Sequence, residues 1–372
     1  FSLLSLFKSS ILFAKCQYIC YNKNKKEVFM SKFYDGTKLL SLKDLNGNTP
    51  EIYISTSNRS AGKTTYFNKL CFSKYLKNNE EFMILYRFNY ELSECNHKFF
   101  DDIKTLFFSN YEVEMKMHAR GKFAELTEND HTIGWAVCLN DADIIKKYSH
   151  VFCNVTRILF DEFQSETNHY CADEIKKFIS IHQSVARGGG KQSRYVPVYM
   201  IGNFVSLLNP YYTKLGISNR LNINTNYMRG NGWVLEQNLN ESASKAQEDS
   251  IFNQAFADDK YIQYSSQKSY LNDNDTFIQK IEGKSTYIAT INVFGIDYAI
   301  REYDCGIVYC DHGIDKNFPL KISVTTENHQ VNYIMLNKSS YIVSQLRFYF
   351  ERGIFRFKDL DCKQAIMTML SY

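Results

Sequence analysis

Residues 57–65 read SNRSAGKTT, and Gly62, Lys63 and Thr64 are the part of that stretch able to do phosphate chemistry. In the loop G-x-x-x-x-G-K-[ST], successive backbone N–H groups point at an anion from the start of a helix, where the helix dipole also favours negative charge. Gly62 lets the backbone approach closely, Lys63 supplies charge to the β- and γ-phosphates, and Thr64 offers a hydroxyl to Mg²⁺. Ser57 stands where the motif has its leading glycine, a position that mainly shapes the turn. Ser57, Asn58, Arg59, Ser60, Ala61, Gly62, Lys63, Thr64 and Thr65 are therefore read as the ATP-binding stretch.

Further along, the apolar run TRILF delivers Asp161 and Glu162 at its end. Adjacent carboxylates at a strand end are costly to bury unless they meet a cation. Asp161 would hold Mg²⁺, directly or through water, and Glu162 would polarise an attacking water. Taken singly, each motif has a plain alternative: a polar strand-to-helix turn, or a solvated acid pair. Together, in one α/β pattern, they read as an ATP site.

The elements that must position these residues are legible as hydrophobic patterning. EIYISTS (51–57) is a short β-rich run ending at the loop. From Lys63 onward, Phe67, Leu70, Cys71 and Tyr75 recur at helical spacing. FMILYR (82–87) predicts a buried strand and ELSECNHKFFDDIKTLFF a second helix, the alternation of a parallel α/β sheet. Residues 112–139 predict a meander of short strands. RILFDEF (157–163) predicts another buried strand, Asp173–Ala186 a helix, ARGGGKQSR a basic turn, and VPVYMIGN (196–203) a further strand. After about Asn240 the texture becomes polar and helical, as in a connector. Residues 285–311 then predict three strands with tight turns, and two helices close the chain. The expected division is an extension over 1–50, a motor domain over 51–240, a helical linker over 241–275 and a small α+β domain over 276–372.

A chain of 372 residues holds two domains on a prior of roughly 100–200 residues each. With 44% hydrophobic and 15% aromatic residues and 4 Pro, disordered and fibrous classes are excluded. The net charge of +4 is concentrated towards the N-terminus, so no domain is basic enough to announce nucleic acid alone. A DNA partner would be gripped by a few residues repeated around an oligomer. The 10 Cys include no C-x-x-C pair; Cys305 and Cys310, near Asp311 and His312, are read as reduced thiols rather than a metal cluster. A reducing, cytosolic compartment follows. FSLLSLFKSSILFAKCQYIC is interrupted by Lys8 and Lys15, too broken to span a membrane. The chain opens on Phe1, whereas Met30 begins a more ordinary start, so residues 1–29 are expected to be upstream translation or a dispensable extension.

Three features carry a resemblance. Arg59, ahead of Gly62, resembles the Arg-x-x-Gly-Lys-Thr loop of viral terminase large subunits. NVTRILFDEF followed by VYMIGNFVSLLNPYY resembles the DNA-encapsidation ATPase of small protein-primed podoviruses, and YRFNYEL (86–92) and GWAVCL (134–139) extend the likeness, with Asn89 in place of a lysine. The resemblance implies an ASCE-type P-loop NTPase, a mainly parallel sheet with flanking helices, plus a small α+β RNase H-like C-terminal domain. It implies ATP and Mg²⁺ as cofactors and Asn203 as a γ-phosphate sensor. It also implies a homomeric ring, a pentamer, in which an arginine reaches the neighbour's ATP; the matching position is Arg187. Arg194 in the same loop could take that role, and Lys191 and Arg194 could instead touch DNA. Implied partners are double-stranded DNA and the portal of a procapsid, with or without a packaging RNA, and no membrane. The implied place is the host cytoplasm during assembly, not the mature virion.

The C-terminal domain resembles the nuclease fold of terminases. Its opening strand, STYIATINVF, carries no acid, and Asp297, Asp304 and Asp311 fall at strand ends and turns. It is read as a nuclease relic that now serves binding. The alternatives are a terminase that also cuts DNA, and a P-loop scaffold that binds nucleotide without turnover.

Overall fold

A computed structural model describes residues 33–371 except 168, 189, 219, 222–223, 274–276, 325–328 and 337–340. The expectation for residues 1–29 and Met30 lies outside the described residues. By contacts the chain divides into two units, one of residues up to Val205 with 222–271, the other of 206–221 with residues from Asn272 onward.

The first unit is built on a nine-stranded sheet. Its strands are β1 (Ile52–Ser57), β2 (Glu81–Tyr86), β3 (Glu114–His118), β4 (Phe123–Glu128), β5 (His131–Cys138), β6 (Val155–Asp161), β7 (Val198–Asn203), β8 (Tyr227–Arg229) and β9 (Trp233–Gln237), in the order β3-β4-β5-β2-β6-β7-β1-β9-β8. From β5 to β9 every neighbouring pair is parallel, and the antiparallel β3, β4 and β8 lie at the rims. β1, β2, β6 and β7 are buried along nearly their whole length, which continuous apolar runs covered on both faces require. The helices α1 (Thr37–Ser41), α2 (Lys63–Asn78), α3 (Cys95–Phe107), α4 (Ala142–Lys147) and α5 (Glu174–Val185) accompany this sheet. α2 buries Phe67 and Cys71, and α3 buries Phe99, Phe100 and Ile103, in one core cluster with β2 and β5.

Two boundaries differ from the sequence reading. Residues 33–50 are not merely an extension: Leu39 is fully buried in the first core, and the Tyr34 amide donates to Ala61 O at 2.8 Å. The stretch 241–275 is not a free linker either. Its helices α7 (Glu241–Glu248), α8 (Ile251–Ala255) and α9 (Lys260–Ser266) fall in the first unit up to Leu271, where Tyr264 is buried with Phe204 and Val205. The polar composition that suggested a connector belongs to α7 and α9, each with one buried edge, and to α8, which buries no residue.

The second unit takes in the short helix α6 (Pro210–Lys214) and a six-stranded sheet. Its strands are β10 (Ser285–Val293), β11 (Ile296–Tyr303), β12 (Val308–Asp311), β13 (Lys321–Ser323), β14 (Ile334–Met335) and β15 (Phe355–Phe357), ordered β14-β13-β10-β11-β12-β15. β10, β11 and β12 pair antiparallel, β13 joins parallel beside β10 and β14 parallel beside β13, the RNase H-like strand arrangement, and β15 adds parallel beside β12. Helices α10 (Tyr341–Glu351) and α11 (Leu360–Ser371) bury Leu346, Cys362 and Ile366 with it. No helix among the described residues is long and apolar enough to cross a membrane.

Candidate functional site

β1 stops at Ser57, the chain turns through Asn58–Gly62, and α2 opens at Lys63. Ser60 (φ 60°) and Gly62 (φ 92°) take left-handed conformations. The left-handed backbone at Gly62 favours glycine, and a Cβ there would also make a tight 3.3 Å contact with the Phe33 ring. Ser57, by contrast, is still strand, and no glycine is needed at that position. Its hydroxyl accepts from Lys63 Nζ at 2.5 Å and donates to Asn58 O at 3.0 Å.

The Lys63 ammonium is buried, and its further acceptors are Asn58 O at 3.4 Å and Asn203 Oδ1 at 3.3 Å. Among the described residues no carboxylate lies within hydrogen-bond distance of it. Burial therefore pushes its pKa down to about 7, with Asp161 opposing and Arg59 adding to the shift. A buried cation with only neutral acceptors is suited to an anionic ligand. Asn203 reaches it because β7 inserts between β1 and β6, so the end of β7 lies between the phosphate loop and the acid pair.

Thr64 Oγ1 donates to Asp161 Oδ2 at 2.8 Å, and Asp161 Oδ1 accepts from the Glu162 amide at 2.8 Å. Burial pushes the Asp161 carboxyl up to about 6, the Glu162 charge adding to the shift and the Thr64 hydrogen bond opposing it. A hydroxyl beside a carboxylate is the hard-oxygen donor set that suits Mg²⁺. Glu162 is exposed, and its carboxylate makes no hydrogen bond among the described residues. Its backbone is left-handed (φ 52°), a conformation that costs a non-glycine residue about 1–3 kcal/mol and persists only where surroundings enforce it.

The enforcing group is Arg87, which sequence reasoning missed. Its buried guanidinium holds Glu174 through Nε at 3.1 Å to both carboxylate oxygens. It also donates to Glu162 O at 3.3 Å and Phe163 O at 2.6 Å. One rigid fork thus ties the end of β2 and the start of α5 to the strained turn after β6. Arg87→Lys keeps the charge and loses the fork. We expect turnover to fall on the order of 10²-fold with ATP affinity within a few-fold, because displacing a reacting group costs that much. Steady-state ATPase kinetics beside nucleotide binding check this, and an unchanged kcat would remove Arg87 from any positioning role.

Arg59 pairs with Glu166 at 2.8 Å, with the Tyr261 hydroxyl as a second partner. Tyr264 donates to Glu166 at 2.7 Å. Both tyrosines come from α9. Asn58 and Asn240 exchange hydrogen bonds of 3.1 and 2.8 Å, and Gln247 reaches Ser60 at 3.1 Å. The segment read as a linker therefore braces the phosphate loop. Ala61 is buried, and Thr65 is half-buried on the first turn of α2.

Arg187, Lys191 and Arg194 are not brought to this cluster. Register pairs Ile52 with Val198 and Ser57 with Asn203, so residues just before Val198 lie at the opposite edge of the sheet from the phosphate loop. Six residues of strand, roughly 20 Å, separate the two edges. Arg187 and Lys191 are exposed there. Arg194 is half-buried and donates to Val185 O at 2.8 Å, closing the loop on the end of α5.

In the second unit the acids are engaged separately. Asp297 accepts from Asn292 and Tyr333, both at 2.7 Å, and Asp311 pairs with Arg301 at 3.2 Å. Cys305 is exposed and Cys310 buried, so the two are not neighbours in one core.

The family described as podovirus DNA encapsidation protein (Gp16) matches residues 29–371. The DNA packaging protein of Bacillus phage phi29 is 22% identical over 335 residues, covering 88% of this chain and 93% of that protein. That of Bacillus phage B103 is 24% identical over 304 residues, covering 80% and 90%. A solved structure of the bacteriophage phi29 genome packaging motor assembly is similar with a TM-score of 0.64 at 19% identity, covering 92% of this chain and 98% of that one.

Proposed function

The chain belongs to the podovirus DNA encapsidation protein (Gp16) family, and from that premise we propose that it is an ATP-hydrolysing motor driving viral double-stranded DNA into a preformed procapsid. The observation that carries the ATPase reading is the Thr64–Asp161 hydrogen bond, which closes two motifs 97 residues apart into one site. Lys63 and the amides at the start of α2 bind the phosphates of ATP. Asn203, which accepts from Lys63, is read as the group that reports on the γ-phosphate. The free Glu162 carboxylate orients a water and takes its proton. Thr64 and Asp161 would hold Mg²⁺, which would supply charge neutralisation to the transferring phosphoryl group.

The motor acts as a homomeric ring of five subunits. Arg187 supports the ring, since it is exposed and lies at the opposite edge of the sheet from its own Lys63. Arg194, tied to Val185 O, is read as the strut of that loop, and Lys191 as a contact to DNA or to the neighbour. The ring docks on the portal of the procapsid, through a packaging RNA or directly, in the host cytoplasm.

We expect slow ATPase activity from the chain alone. Double-stranded DNA with empty procapsids should accelerate it and yield DNA protected from nuclease. ATP turnover without protected DNA would leave an ATPase and sink the motor. Absence of turnover under every condition would point to a nucleotide-binding scaffold.

A further inference from the structure

We propose that the second unit holds a structural zinc-class cation between His312, Asp359 and Cys362. His312 directly follows β12, Asp359 precedes α11, and Cys362 lies on the first turn of α11. The Asp359 Oδ2–His312 Nε2 distance is 2.8 Å, and Cys362 Sγ is 3.6 Å from the same nitrogen. All three donor atoms lie within 4.8 Å of one another. In a tetrahedral site with bonds of about 2.0–2.3 Å, donor atoms stand roughly 3.3–3.8 Å apart. The sulfur–nitrogen pair already meets that spacing. The nitrogen–oxygen pair, now bridged by a proton, needs to open by less than about 1 Å when a cation takes the proton's place.

The donor set selects the ion. Imidazole, thiolate and carboxylate together suit zinc, whereas Mg²⁺ and Ca²⁺ call for oxygen ligands throughout. The surroundings fit as well. Cys362 is fully buried, while His312 and Asp359 each expose 29% of their side chains, leaving an entry path from solvent. Cys310 Sγ, also fully buried, lies within hydrogen-bond reach of Cys362 Sγ and is the nearest fourth ligand. Asp359 Oδ1 accepts from the Cys362 amide at 3.0 Å, which fixes the carboxylate for binding through its other oxygen. The ion would staple the start of α11 to the end of β12. This role is independent of the nucleotide site.

The test uses the full chain, reduced and stripped with a chelator, then titrated with Zn²⁺ and separately with Co²⁺. We expect one zinc per chain by elemental analysis and a rise in the unfolding temperature on adding Zn²⁺. With Co²⁺ we expect a near-ultraviolet sulfur-to-metal band saturating at one equivalent. Cys362→Ser and His312→Ala should abolish that band, and Asp161→Asn should keep it, which separates this site from the nucleotide site. The Co²⁺ spectrum of the unaltered chain stands even if a variant misfolds. Absence of a sulfur band at one equivalent overturns the proposal, leaving a hydrogen-bonded His–Asp pair. So does zinc binding that survives both substitutions. A Cys310–Cys362 disulfide in place of metal binding would also overturn it, making the pair a redox element.

Discussion

Glu162→Gln should cut ATP turnover by about 10²–10⁴-fold, the usual worth of a positioned general base, while ATP remains bound. The substitution preserves the size of the side chain and the left-handed backbone at this position, and removes only the charge. In the ground state that charge acts on the neighbouring Asp161 and Arg59 charges but makes no hydrogen bond among the described residues. The loss therefore falls on kcat, and the subunit should be held in its ATP-bound state. Lys63→Ala gives the contrasting result. It removes the buried ammonium proposed to meet the phosphates, so nucleotide affinity should fall together with turnover. Single-turnover hydrolysis beside equilibrium nucleotide binding separates the two patterns. If Glu162→Gln hydrolyses ATP near the parent rate, the acid-pair assignment is wrong.

Arg187→Ala should leave nucleotide binding by a single subunit nearly intact and lower hydrolysis by the assembled ring ~10³-fold or more, the scale of an arginine finger. The Arg187 guanidinium lies at the opposite edge of the sheet from its own phosphate loop, so the proposed role is on a neighbour's site. Mixing supplies the sharper measurement. Rings made from Arg187→Ala and Glu162→Gln subunits contain some interfaces with an intact Glu162 facing an intact Arg187. Partial recovery of ATPase activity from two inactive variants is the expected outcome. If Arg187→Ala instead weakens only DNA binding, and more so at high salt, the residue is a phosphate contact. The Arg194 guanidinium would have to leave Val185 O to take over.

Much of the site was legible because its parts are local. The strand EIYISTS, the turn with Gly62 and the helix from Lys63 follow one another directly, and the periodicity of Phe67 and Cys71 reports the buried face of α2. The acid pair was legible because an apolar strand ending in two carboxylates is rarely tolerated without a cation. Ser57 looked like a defect in the motif, and the structure removes the objection: the residue is strand, and its hydroxyl serves Lys63.

The sequence by itself determined the alternation of strands and helices around the Gly62 turn and the acid pair, and the chemistry of the residues proposed to meet ATP, because each rests on spacing within a few residues. Only the tertiary structure decided which distant residues share the site. Insertion of β7 between β1 and β6 brings Asn203 to Lys63. Arg87 becomes the brace of Glu162 because the end of β2 adjoins the turn after β6. The polar helices after Asn240 fold back to hold the phosphate loop through Asn240 and Gln247, and α9 supplies Tyr261 to Arg59. His312 meets Asp359 and Cys362 only once α11 packs on the end of β12. Hydrophobic burial drives these approaches, and burial specifies which faces must be covered, not which polar residues then become neighbours. Strand order and register settle that second question, and neither leaves a local signature in the chain.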